Sequence, residues 1–595
     1  MPRLTGGQII ARTLKSYGVE YVAGIPGHGI WTLADAFLDQ EYGLKFIQTF
    51  HEQSAVHMAD GYYRVSGRPM VAVTSIGAGA SNTVIGLGTA FTDSTSLMLI
   101  TGGPPTHMRG HGLLQELERY TDNDFPKIAE AVSKRHWVAT RVEELPFIMH
   151  RAWSAMMTGR PGPVHIEVPM DVQAEAADVT LHPIESRLPI GKMYPDPQAI
   201  ERAADVLRSA LRPVMVIGGG VITGRATDEI LALATRCKIP VVTTWNGKSG
   251  FPEDHELFAG SVGQTGTPCG NKVASSADVV IAVGCRFTDW SSSSYAKGIT
   301  FSIPPARLIH IDIDPHEIGK NYPADVGIVA DAKHAVAQLV AALAGSAVDR
   351  SEYLAELARL KTEWERQLAS RRDTDRFPFT SQRPLGALRK VCPRDTIFVV
   401  GSGNTQGAVK QTLPVYLPRT HLTSGGFSSM GWAVPAAIGA KLAAPKQPVV
   451  CVLGDGDFLM TSQEIAVCVT NDIPVVFVIQ NNAGYMSIRG GQRKLMDRHV
   501  GTEFNKPDGT PYSPDYKAIG QAFGLRSYRV ERPQDLENIL QEAISANEPV
   551  LVEVPTDRDA AGPWVPGWWD FPIPAYITDE RQEEYTTIRR LEQHL

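Results

Sequence analysis

At 595 residues the chain is too long for one ordinary core, and at about 100–200 residues per domain it predicts three units. Its 20% charged and 43% hydrophobic residues exclude a disordered or membrane-spanning chain, and a net charge of -7 without a long Lys/Arg block speaks against a dedicated nucleic-acid binder.

The first segment, "MPRLTGGQIIARTLKSYGVEYV", lacks the continuous apolar stretch of a secretory signal and reads as an amphipathic helix entering a strand. No run of 18 apolar residues occurs, so a cytoplasmic protein is expected. Next, "VEYVAGIPG", "LKFIQTF", "PMVAVTSIG", "SLMLITGG" and "GPVHIEVPMD" are β-branched runs closed by Gly, Pro or Asp, with helical patterns between them. They predict an α/β unit with a mainly parallel, doubly wound sheet over residues 1–185. After a Pro-rich connector, "RPVMVIGGG", "IPVVTTWNGKSG", "ADVVIAVGCRF" and "ARLIHIDIDP" predict a second such unit over 190–345. The charged helix "RSEYLAELARLKTEWERQLASRR" leads into a third, 375–556, built on "TIFVVGSGN", "PVVCVLGDG", "IPVVFVIQNN" and "PVLVEVPTD". The similar closing phrases of the first and third units hint at duplicated architecture. The remaining 557–595, rich in Trp and Pro, predicts no core of its own and reads as a lid or packed tail. The six cysteines show no CxxC pair and are expected as buried free thiols.

The chemistry concentrates in "VLGDGDFLMTSQEIAVCVTNDIPVVFVIQNNAGY". Asp455 follows an apolar strand, so its carboxylate lies at the carboxyl edge of a parallel sheet, where open α/β folds bind ligands. Gly456 allows a close approach, and the helix that begins around Asp457 offers free N–H groups to a phosphate. One helix and one strand later, the chain returns to the same edge with Asn481 and Asn482. A carboxylate, an amide oxygen and a nearby main-chain carbonyl suit Mg²⁺, which keeps phosphate oxygens among its ligands. The constellation predicts a metal-bridged diphosphate.

Here the sequence resembles the thiamine-diphosphate-dependent enzymes, whose cofactor signature runs from GDG to NN over this distance. The resemblance implies that Asp455, Asn482 and the carbonyl of Gly484 hold Mg²⁺. In "FIQTFHEQSAVHMADGYYR", Glu52 matches the glutamate that shares a proton with the cofactor's aminopyrimidine ring; taken alone it would read as a helix-start carboxylate. "LTSGGFSSMGWAVPAAIGAKLAA" matches a segment in which Met430 would wedge between the cofactor rings and the Ser428 carbonyl would accept from the pyrimidine amino group; taken alone, Met430 reads as a core methionine. Asn404 and Thr405 of "VGSGNTQG" would add diphosphate contacts. The resemblance covers nearly the whole chain and narrows to the acetolactate-synthase-like branch. It implies a homodimer as the minimal active unit, with the glutamate and the metal motif of each site coming from different chains, and commonly a tetramer.

Substrate choice lies outside these motifs. "GIPGHGIW" puts His28 and Trp31 where synthases carry small residues, and Gln115 of "LLQELE" matches a substrate-facing glutamine. Lys134 matches a lysine near flavin and substrate. In "AGYMSIRGGQRKL", Ile488 and Gln492 share a helix face and are pocket candidates. In the central unit, Gly219 of "IGGGVITGRA" and Arg286 of "GCRFTDWSSSSY" are nucleotide candidates. Trp290 replaces the second arginine of the synthase flavin motif, which speaks against FAD and makes ADP the better-matched nucleotide. With the long tail as a cover for coenzyme A, cleavage of a 2-hydroxyacyl-CoA to formyl-CoA and a carbonyl compound is the first reading. The second is an acetolactate-synthase-like 2-oxo-acid decarboxylase and carboligase. A non-catalytic subunit conflicts with retention of Glu52, Asp455 and Asn482 together.

Overall fold

The computed structural model describes residues 2–117, 124–189, 191–345 and 348–592. The β-branched runs read from the sequence pair into three six-stranded sheets, each parallel throughout. Strands buried on both faces need no polar alternation, which is why "PVMVI" at Pro213–Ile217 and "VVIAV" at Val279–Val283 are continuously apolar.

In space the first sheet runs Lys45–Gln48, Tyr21–Gly24, Val71–Thr74, Met98–Gly103, Val164–Pro169 and Arg135–Val138. The third runs His421–Thr423, Ile397–Val400, Val449–Gly454, Val476–Asn481, Val550–Pro555 and Arg526–Arg529. Numbering strands within each unit, both follow the order 2-1-3-4-6-5. The shared order is what duplicated architecture would produce. The central sheet differs, following 3-2-1-4-5-6, the strand order of dinucleotide-binding sheets. In all three, the strand order reverses beside the unit's first strand and opens a crevice at the carboxyl edge.

The first and third units are fused through helices Glu52–Ser66 and Ala433–Ala443. Their backbones touch: a Cβ on Gly61 would lie 2.1 Å from the Ala436 carbonyl oxygen, and one on Gly439 would lie 1.9 Å from that of Met58. Only glycine permits this approach. A buried polar knot locks the pair, because Asp60 accepts from Arg64 (2.7 Å), Thr95 Oγ1 (2.6 Å) and Trp432 Nε1 (2.7 Å). The side chains of both units therefore form one apolar cluster, from Ala23 and Ile47 to Phe458 and Phe477. Five of the six cysteines are buried and all six are free, as expected. No helix among the described residues is long and apolar enough to cross a membrane.

Candidate active site

Asp455 opens the seven-residue helix Asp455–Thr461 directly after the strand Val449–Gly454, and its side chain is 1% exposed. Burial pushes its carboxyl up to about 6 despite hydrogen bonds from backbone N–H groups, of which Gly484 N donates at 3.1 Å. The adjacent strand delivers two asparagines with different fates. Asn481 is spent on the fold, donating to Ser513 Oγ (2.7 Å) and Glu553 Oε1 (2.8 Å) and accepting from Ala483 N (3.2 Å). Asn482 instead leaves a buried Oδ1 with no hydrogen-bond partner. An orphaned acceptor beside a buried carboxylate is costly in the absence of a cation. Mg²⁺ is bound through few carboxylates and completes its shell with amide, carbonyl, phosphate and water oxygens. Asp455, Asn482 and the Gly484 carbonyl fit that description. A Cβ on Gly484 would meet the Thr502 carbonyl oxygen at 2.5 Å, and one on Gly456 would meet the Tyr485 ring at 2.5 Å, so both positions need glycine.

The other candidates of the third unit surround this edge. Asn404 and Thr405 begin the helix Asn404–Thr412 after Gly403, whose φ of 87° is a left-handed conformation suited to glycine. The Ser428 carbonyl accepts from Ser402 Oγ at 2.8 Å, so one of its two lone pairs is already engaged. The Asp457 side chain serves the scaffold: its two carboxylate oxygens accept from Ser402 N and Gly431 N, each at 2.6 Å. It thereby ties the loops bearing Ser402 and Met430 to the GDG helix. Met430 is partly exposed. Gln492 accepts from Val500 N at 2.7 Å and so caps the following loop, whereas Ile488 is 50% exposed.

The first sheet gathers the remaining candidates at its own carboxyl edge. Glu52 is the first residue of its helix, and its Oε2 accepts from Asn82 Nδ2 at 2.9 Å. Asn82 was missed because it lies in a plain "GASNT" turn, without a motif of its own. Gly29 donates to Ser75 Oγ (3.2 Å), which anchors the His28 turn to the strand end that also leads to Gly77 and Gly79. Gln115 is exposed with φ 67°, and a Cβ on Gly77, itself at φ 36°, would lie 1.6 Å from the Gln115 carbonyl oxygen. Gly77→Ala must therefore displace the Gln115 turn, and a loss of about 2 kcal/mol or more in unfolding free energy is expected from denaturant titration. A change below about 0.5 kcal/mol would show that the turn yields freely. From the third unit, Glu464 reaches the entrance of the Glu52 helix, where its Oε2 accepts from Phe50 N at 3.3 Å. Burial pushes its carboxyl up to about 7.

In the central unit, Gly219 and Arg286 lie at the point where the strand order reverses, and both line a cavity of about 780 Å³. The cavity extends from Asp312 and Asp331 past Asp93 to Ser428, at the edge of the third unit. Lys134 does not face it: its ammonium donates to the carbonyls of Thr158 (2.6 Å) and Arg160 (2.7 Å), bracing the turn that does. One wall is aromatic, with Trp245 and Trp290 at 5.5 Å and Trp290 and Trp569 at 5.4 Å between ring centroids. Trp569 belongs to the C-terminal segment, which packs along the central unit through Gly567 N→Gln264 O (3.3 Å), Asp570 N→Ser294 Oγ (2.9 Å) and Lys297 N→Leu591 O (2.9 Å). The segment is thus a strap across the central unit that forms part of its cavity wall. Sequence reading foresaw no role for Trp569 in that wall, because only the tertiary path brings it there.

Residues 4–125, 200–339 and 401–554 match the N-terminal TPP binding domain, the central domain and the C-terminal TPP binding domain of thiamine pyrophosphate enzymes. A probable acetolactate synthase large subunit of Methanocaldococcus jannaschii is 37% identical over 580 residues, covering 95% of this chain and 94% of the relative. An acetolactate synthase large subunit of Corynebacterium glutamicum is 34% identical, over 94% of this chain and 88% of its own. An acetolactate synthase of Mycobacterium bovis is 32% identical, over 94% and 89%. A GDG-to-NN edge with an orphaned amide oxygen, three matched domains and relatives similar over nearly their full length lead to one assignment. The chain belongs to the acetolactate-synthase-like superfamily of thiamine-diphosphate-dependent enzymes and is a carboligase of that group.

Proposed function

We propose that the chain joins two 2-oxo acids with loss of one CO₂, as an acetolactate synthase does with pyruvate, and that Asp455, Asn482 and the Gly484 carbonyl would hold Mg²⁺ beside its thiamine diphosphate. The observation that carries this reading is the full-length similarity to relatives named acetolactate synthase. It favours the second sequence-based reading over 2-hydroxyacyl-CoA cleavage. The strap's packing along the central unit also weakens the argument that the tail exists to cover coenzyme A.

Bound thiamine diphosphate supplies a nucleophilic carbon and an electron sink for making and breaking bonds next to a carbonyl. The chain's part is to orient and to manage protons. Glu52, held by Asn82 at one oxygen, would exchange a proton with the pyrimidine through the other. Asn404 and Thr405 at one helix start and Gly456 at another would receive the diphosphate. His28 and Gln115 at the edge beside Glu52 are the proposed substrate contacts. Gln492, whose amide oxygen is engaged by Val500 N, has its NH₂ group left to offer a substrate.

Two further assignments belong to this reading. The central cavity takes an adenine dinucleotide of the FAD class: its strand order suits one, and its volume of about 780 Å³ is large enough to receive one. Trp290, in place of the expected arginine, offers a flat ring to stack on. The active unit is a homodimer. Exposed apolar side chains surround the Glu52 edge, among them Phe50 (46%), Ile85 (44%), Phe427 (46%) and Met460 (49%), and such a patch calls for a partner.

One preparation tests the whole reading. Purified protein with thiamine diphosphate, Mg²⁺ and pyruvate should release one 2-acetolactate and one CO₂ per two pyruvates by mass spectrometry. It should also show a flavin absorption band and sediment as a dimer or larger. Formyl-CoA from a 2-hydroxyacyl-CoA, with no acetolactate from pyruvate, would restore the lyase reading. A colourless active enzyme would remove the flavin, and an active monomer the shared site.

A further inference from the structure

We propose that Arg558, the first basic residue after the last strand, is a positioning residue that holds the 482–484 turn in its metal-binding shape. The inference rests on the metal reading above. Arg558 Nη2 donates to the Ala483 carbonyl at 2.6 Å and Nε to the Asn482 carbonyl at 3.4 Å, while Nη1 donates to Asn505 Oδ1 at 3.0 Å and lies 3.9 Å from Glu503 Oε2. The planar guanidinium thus grips two successive peptides from one side. On the other side the same peptides present their N–H groups: Ala483 N to Asn481 Oδ1 (3.2 Å) and Gly484 N to Asp455 Oδ2 (3.1 Å).

A peptide unit held at both ends cannot rotate. That matters here because Ala483 sits at φ 53°, a left-handed conformation that an alanine adopts only when its surroundings impose it. Phe504 N helps, donating to the Ala483 carbonyl at 2.9 Å, but it pins one peptide only. Without the guanidinium the Asn482–Ala483 carbonyl is free to turn, Ala483 can relax, and the Asn482 amide and Gly484 carbonyl lose their common aim at Asp455. Arg558 is itself braced: its carbonyl accepts from Arg489 Nη1 (2.7 Å), and Arg489 Nη2 pairs with Asp559 Oδ1 (2.6 Å). The strap's first residues and the helix Met486–Met496 therefore frame the turn together. The contact joins residues 75 apart in sequence, so no local motif announces it.

The test is a calorimetric titration of Mg²⁺ into metal-free full-length protein at fixed thiamine diphosphate, for wild type, Arg558→Lys and Arg558→Met. Removing a partner that orients a metal ligand typically weakens metal binding about 10–100-fold. Half-saturation in Arg558→Met should rise by that factor. Arg558→Lys should fall between, because an ammonium holds one carbonyl but cannot fork to two. A merely structural arginine would lower the melting temperature of the metal-free protein and leave the half-saturation of the folded fraction unchanged. Values within twofold of wild type in both variants would overturn the proposal. Should Arg558→Met not fold, Arg558→Lys decides: a rise of threefold or more supports the proposal, and no rise overturns it. Wild-type protein that binds thiamine diphosphate without Mg²⁺ would sink the metal reading itself and this inference with it, and that failure is visible before any variant is made.

Discussion

Glu52→Gln is expected to lower kcat by about 10²–10⁴-fold, the usual contribution of a positioned general acid or base. The variant keeps the shape of the side chain, and its amide oxygen can still accept from Asn82 Nδ2 as Glu52 Oε2 does at 2.9 Å. It also keeps the helix start, since the cap comes from His51, whose side chain accepts from Gln53 N. Folding and cofactor binding should therefore survive while the exchangeable proton is lost. Steady-state turnover of pyruvate together with calorimetric binding of thiamine diphosphate separates the two effects. Turnover within tenfold of wild type would remove Glu52 from the chemistry. Loss of cofactor binding in parallel with turnover would reduce it to a binding residue.

Asp455→Asn should act in opposite directions on the metal-free and the metal-loaded protein. Asp455 is almost fully buried, and burial raises its carboxyl from 3.8 to about 6, so in the metal-free fold the ionised side chain is a liability. For an acid whose folded pKa is raised, stability is lost as pH climbs from the unfolded value to the folded one. Relative to the asparagine variant, metal-free wild type should thus lose up to roughly 3 kcal/mol between about pH 4 and pH 6, at 1.36 kcal/mol per pKa unit. Below that window the two should coincide. Mg²⁺ reverses the order, because the cation is attracted to the carboxylate and only weakly to an amide. Its half-saturation should rise by on the order of 100-fold or more in Asp455→Asn, at or beyond the cost of losing a supporting partner. Denaturant unfolding across pH and Mg²⁺ titration measure the two halves separately. Unchanged Mg²⁺ dependence would mean that the metal lies elsewhere.

Sequence reading captured most of the α/β fold because its strands are continuous apolar runs and its breakers are Gly and Pro at strand ends. The GDG-to-NN edge was legible for the same reason: one helix and one strand bring Asp455 and Asn482 to a common edge in any parallel sheet. What each asparagine does was not legible. Asn481 and Asn482 are neighbours of identical chemistry, and only the strand register sends one to Glu553 and leaves the amide oxygen of the other without a partner. The partners of the Asp457 carboxylate were hidden by the same limit, since the loops it binds, at Ser402 and Gly431, approach it from distant parts of the sequence.

The sequence by itself therefore determined the elements, the cofactor class and the residues that carry local motifs, because those depend on periodicity and short spacing. Only the tertiary structure decided the contacts that select among equivalent residues. It aligned the first and third sheets in one strand order, set Asn82 behind Glu52 and led the C-terminal strap past the 482–484 turn to Trp290. Such contacts join residues tens to hundreds of positions apart. They are held by burial and geometry, which a linear pattern does not encode.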